Sequence, residues 1–130
     1  MELMDRLIDF IEGQVELNAP IQVGILSQSP KAVCFRLTPG SFRDVYLNHG
    51  RVYQLSFQIL VKDDQQSEAI RVIHDVVNVL DRLTEKDIVL SNDRFIRCEV
   101  YTLPSFVEKT EHDEYIYTAL FNAEYERKGE

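Results

Sequence analysis

A chain of 130 residues can bury roughly two-thirds of its unfolded surface, which suits a single domain spanning residues 1–130 and leaves little room for a second. With 45% hydrophobic and 28% charged residues it is too apolar for disorder and ordinary for a globular protein. The formal charge of −8 argues against binding along a nucleic-acid backbone, because attraction to phosphate needs clustered Lys and Arg.

The N-terminus MELMDRLIDFIEG carries Leu3, Met4, Leu7, Ile8, Ile11 and Val15 on one helical stripe, with Glu2, Asp5, Arg6, Asp9 and Glu12 opposite. It lacks a basic n-region and a continuous apolar h-region, so it is not read as a signal peptide, and no apolar run approaches the ~20 residues of a membrane helix. The expected compartment is the cytoplasm, with no membrane partner. Leu17-Asn18-Ala19-Pro20 ends the helix, since the residue before proline is pushed out of the α region. Ile21, Val23 and Ile25 then alternate with polar or small neighbours. After Ser27-Gln28-Ser29-Pro30-Lys31 the alternation resumes with Val33, Phe35 and Leu37, which predicts a hairpin.

Thr38 to Gly50, TPGSFRDVYLNHG, follows neither period. Its Phe42, Val45, Tyr46 and Leu47 need a surface to cover, either on their own domain or on a neighbouring subunit. The longest ordered stretch follows. Tyr53, Leu55, Phe57, Ile59 and Val61 form the buried face of a strand. Beyond Asp63-Asp64 the spacing of Ala69, Ile70, Ile73, Val76, Val77, Leu80 and Leu83 changes to that of a helix. Asp63 or Asp64 is expected to cap that helix; the alternative, a cation held by the pair, lacks further carboxylates at ligand spacing.

The helix is expected to end near Thr84-Glu85-Lys86-Asp87. Ile88 to Leu90 and Phe95 to Tyr101 read as a short and a longer strand, and Leu103 to Glu114 as an exposed irregular connection holding Pro104 and Phe106. Tyr115, Tyr117, Ala119, Phe121, Ala123 and Tyr125 form one face of the last strand. The elements together predict an α+β fold, a mainly antiparallel β-sheet with two α-helices packed on one face.

No residue set points to catalysis, and neither a metal nor a cofactor is expected. Cys34 and Cys98 lie among apolar neighbours and read as buried reduced thiols. His74 sits at the edge of the second apolar stripe and reads as a packed, hydrogen-bonded imidazole. Glu108, Glu111, Asp113 and Glu114 read as a solvated face, not as an acid–base pair, and no HExxH, CxxC, GxSxG or phosphate-binding glycine loop occurs.

The acidic first helix, LTPGS at Leu37 to Ser41, YQLSFQILVKDD at Tyr53 to Asp64, the helix SEAIRVIHDVVNVLDRL and the closing PSFVEKTEHDEYIYTALFNAEYE resemble the bacteriophage minor capsid and tail-completion proteins, the group of tail terminators and head-tail joining proteins. The resemblance spans nearly the whole chain. It implies a tail-terminator-like fold and a structural virion protein, not an enzyme, located in the virion and in the host bacterial cytoplasm during assembly. The implied partners are copies of itself, as a homo-hexameric ring on the tail with a monomer allowed in solution, together with tail tube and connector proteins. The resemblance transfers no binding residues. The interaction residues proposed on the loops are Pro39, Gly40, Phe42 and Tyr46 in the first irregular stretch and Pro104 and Phe106 in the second. Negative charge lining the ring's channel would let DNA pass without sticking. The competing reading is a cytoplasmic α+β module whose sheet and long loop hold a peptide or small ligand; it predicts a concave apolar pocket.

Overall fold

The polypeptide buries two helical stripes against one face of a sheet. The computed structural model describes residues 1–39, 46–47 and 50–127, and of 46, 47, 50 and 51 the backbone alone. In chain order the elements are α1 (Glu2–Gln14), β1 (Ile21–Val23), β2 (Ala32–Leu37), β3 (Tyr46–Leu47), β4 (Gly50–Asp63), α2 (Gln66–Asp81), β5 (Asp93–Lys109) and β6 (Tyr115–Arg127). The sheet runs β1-β2-β4-β6-β5, and β3 pairs with the start of β4. All pairs are antiparallel except β1 with β2. This is the α+β architecture that the periodicities predict.

Leu3, Leu7 and Ile11 of α1 and Ala69, Val72, Ile73, Val76 and Leu80 of α2 enter one core with Val33, Phe35, Phe57, Ile59, Val61, Ala119, Phe121 and Ala123 from the sheet. Each fully buried Leu, Ile, Val or Phe contributes ~1.5–3 kcal/mol, so this face holds the fold together. At its centre Phe57 stacks on Phe35 at 4.5 Å and on Phe121 at 5.1 Å between ring centroids.

The segment after Val23 does not close a hairpin: β1 runs parallel to β2, with Ile21 beside Val33 and Val23 beside Phe35. Gly24, at φ +90, turns the chain out of the sheet, and the loop returns over the face opposite the helices. There Leu26 packs on Cys34, Leu60 and Ile116, while Lys62 Nζ donates to Ser27 O at 2.6 Å. A loop thus serves where parallel strands usually need a helix.

Neither aspartate is the helix cap. Gln65 holds that position, and Asp63 Oδ1 instead accepts from the Gln65 N–H at 2.8 Å, fixing the turn into α2. A cation does lie between the paired aspartates, but it is the chain's own: Lys31 Nζ is 2.9 Å from Asp63 and 3.1 Å from Asp64. Asn18 donates to Asp63 Oδ2 and to Lys62 O, so one buried carboxylate ties the exit of α1, the β2 approach and the start of α2 together. Burial alone would raise the Asp63 carboxyl, but hydrogen bonds from the Gln65 N–H, Lys31 and Asn18 outweigh it and hold the group below its usual range.

The helix α2 stops at Asp81, earlier than expected, and Ile88 to Leu90 forms only an isolated bridge from Val89 to Arg94. His74 is exposed, not packed, because its position falls just outside the buried stripe. Most importantly, Leu103 to Lys109 is not an irregular connection. It is the second half of β5, and the turn to β6 occupies only the residues from Thr110 to Glu114.

Candidate assembly interface

Seventeen residues of β5 lie against thirteen of β6. The excess is absorbed by register shifts between Phe95 and Arg97, Val100 and Thr102, Thr102 and Ser105, and Phe106 and Glu108. Each shift is a bulge, which leaves a residue unpaired and re-aims side chains. The residues inside the last three shifts include Tyr101, Leu103 and Val107, and all three are exposed, Leu103 to 72%. Phe106 is 52% exposed and stands against the Tyr117 ring. The bulges therefore turn an apolar row, Tyr101, Leu103, Phe106 and Val107, toward solvent along the outermost strand.

Pro104 lies in the same row, half-buried. It offers no N–H, which is tolerated at a sheet edge and would weaken a central strand. Bulges and proline together discourage another strand from adding to β5 through its backbone. What the edge presents is side chains.

The opposite margin of the sheet has its own apolar group. Val23, Ile25 and Leu37 are exposed, Ile25 to 79%, around the three-residue β1 and the end of β2 that β1 does not reach. Pro39 is exposed just beyond Leu37. Of the interaction residues chosen from sequence, the structure brings Pro104 and Phe106 together on β5 and leaves Pro39 on the far margin. Gly40 and Phe42 lie outside the described residues, and Tyr46 is described only as backbone, paired with Arg51. Sequence reasoning missed Tyr101, Leu103 and Val107; their signal was the density of apolar residues in YTLPSFV, which no single period could place.

The polar run before β6 is not wholly solvated either. Glu114 is buried, accepts from Thr110 Oγ1 at 2.9 Å and lies 3.9 Å from the buried Lys62 ammonium. These two line an open recess of about 610 Å³ with Gln28, Glu108, Lys109 and His112. Its lining is charged, unlike the apolar concavity that a small-ligand module requires. Both cysteines are free and buried; burial raises the Cys34 thiol and pushes Cys98 up to about 12, so neither is poised as a thiolate nucleophile. Among the described residues no three His, Cys, Asp or Glu side chains converge as metal ligands, and no helix is long and apolar enough to cross a membrane.

The fold places the chain among small α+β proteins, with two helices on one face of a mainly antiparallel sheet. The family model for the bacteriophage tail terminator protein matches residues 13–127, and the chain belongs to that family, a class of structural proteins of phage tails. Among solved structures, a chain of the virion of a native gene transfer agent particle superposes with a TM-score of 0.62 at 17% identity, covering 95% of this chain and 97% of its own. A second solved chain, also 17% identical, covers 99% of this chain and 92% of its own with a TM-score of 0.48. No curated protein matches the chain in sequence.

Proposed function

We propose that this protein closes the end of a phage or prophage tail, assembling as a homo-hexameric ring on the last turn of the tail tube and docking it to the connector beneath the capsid. It acts by contact, without catalysis, and its place is the virion. The observation that carries this reading is the bulged β5 edge: four exposed apolar side chains on the outermost strand of a chain that belongs to the tail terminator family. An exposed apolar row of this extent is often a functional surface. The similar fold of a gene transfer agent virion chain supports a virion location. The chain's charge of −8, with Asp5, Asp9 and Glu12 exposed along α1, suits a passage through which DNA slides without adhering.

The test is electron microscopy of particles from the parent phage with this reading frame deleted. Tails of irregular length, or filled heads separated from finished tails, are expected. Normal infectious virions would overturn the proposal.

A further inference from the structure

We infer that successive copies join edge to edge, the β5 row of one copy seating on the β1–β2 margin of the next. This rests on the ring reading and adds its geometry. A ring needs a heterologous contact, two different surfaces on opposite sides of one subunit. The sheet supplies them: β1 and β5 are its two ends, four strand spacings or ~19 Å apart. Of the nine large hydrophobic side chains exposed among the described residues, Val23, Ile25 and Leu37 lie at one end and Tyr101, Leu103, Phe106 and Val107 at the other; the remaining two are Met1, ahead of α1, and Val89, bridged to Arg94 at the start of β5.

Size and charge agree with that pairing. A standard interface covers ~800 Å² per partner, a little over half of it apolar. The β5 row, four side chains about half exposed or more, provides on the order of 400 Å² of that. On the β2 side, the one partner of the Arg36 guanidinium among the described residues is the neutral Gln58 side chain, at 2.9 and 3.3 Å. On β5, Glu108 is exposed and, among the described residues, has no cationic partner, since the adjacent Lys109 turns to Asp113 and the Tyr115 ring. An unneutralised cation beside Leu37 and an unneutralised anion beside Val107 are placed to meet when the margins join. The contact is made by side chains, because the bulges and Pro104 spoil β5 as a template for strand addition.

The experiment uses the deleted phage complemented with cysteine variants, the native Cys34 and Cys98 being buried and silent. Ile25→Cys and Leu103→Cys in one chain should give a ladder of disulfide-linked multimers in purified tails, and either substitution alone should give none. Self-linking of Leu103→Cys alone would mean a two-fold contact and overturn the inference. Linkage of Leu103→Cys to a different tail protein would overturn the second copy as occupant. Normal tails with no linkage in the double variant would overturn the edge contact while leaving the ring reading intact. That reading fails separately, by the deletion phenotype. As an independent readout, Arg36→Glu and Glu108→Arg should each lower infectious titre ~tenfold or more, since like charges face each other, and should restore it when combined. Absence of rescue despite two single defects would also overturn the pairing.

Discussion

Phe106 meets Tyr117 edge to face across β5 and β6, with ring centroids 5.5 Å apart at 68°. The Tyr117 hydroxyl in turn accepts from Gln66 Nε2 at 2.9 Å, at the start of α2. The exposed aromatic therefore rests on a ring anchored to the helix layer. Held this way, the side chain would lose little freedom in the docking proposed for this edge, which lowers the ordering cost of such a contact.

From that arrangement, Phe106→Ala should lose the edge pair and part of its covered surface, about 1–2 kcal/mol by urea unfolding. Leu103→Ser, at a site with little to lose in the free chain, should change stability by less than ~0.5 kcal/mol. Both variants should nonetheless fail to restore tails of uniform length to the deleted phage. Full complementation by both would remove the β5 row from the working surface.

Asp63 offers a stability test that is independent of assembly. Asp63→Ala strands the Gln65 N–H, Asn18 and Lys31 without their acceptor and should cost about 2–3 kcal/mol. The pH dependence follows from sign. The carboxyl is held below its ordinary 3.8 in the folded chain, so on acidification the unfolded chain takes up the proton first. The charge-dependent stabilisation is complete above about pH 5 and disappears as pH falls through the lower folded value. The difference between wild type and Asp63→Asn in denaturant unfolding should thus be larger at pH 7 than near pH 2. An equal difference at both would show that the charge contributes nothing.

The same contrast between simple and composite positions explains what the sequence revealed. The faces of α1, α2, β4 and β6 were legible because each is covered by one apolar surface, so Leu7, Ile73, Phe57 and Phe121 recur at one clean period. Strand β5 hid its second half because four surplus residues change the parity at each bulge, and Pro104 reads as a breaker unless the strand is known to be outermost. The parallel β1 was equally hidden, since the Ser27 to Lys31 turn residues suit a hairpin or a crossing loop, and only the seat of Leu26 on the far face decides between them. Glu114 looked solvated in a polar run, but it lies where the turn closes over Lys62. The exposed row on β5 was the least legible, because exposure at an edge depends on which strand ends the sheet, a fact that no local pattern contains.

The central aromatic stack sets the largest single-site effect expected. Phe57 is fully buried between Phe35 and Phe121, so Phe57→Ala leaves a cavity that neighbouring rings cannot fill and should cost about 3–5 kcal/mol. Against a typical total of ~5–15 kcal/mol, the variant should unfold at markedly lower urea or be recovered insoluble. Phe57→Leu, which keeps most of the volume, should retain a cooperative transition. If Phe57→Ala unfolded at the same midpoint as wild type, the core would not be centred on this stack.

Cys98 gives the last test, at alkaline pH. It is buried on β5 beside Ala123, and burial pushes its thiol up to about 12, above the ordinary 9.0, because the thiolate would be stranded in an apolar site. Between these values the unfolded chain releases the proton and the folded chain keeps it, so stability should fall by ~1.4 kcal/mol per pH unit from about pH 9 upward. Cys98→Ala removes that contribution, and its unfolding free energy should decline less steeply with pH than that of wild type. At pH 8 a disulfide-exchange reagent should leave the folded protein unlabelled and react with two thiols per chain once urea unfolds it. Rapid labelling of Cys98 in the folded chain would mean that β5 opens readily from β6, and an edge that opens could not present the fixed apolar row on which the assembly reading depends.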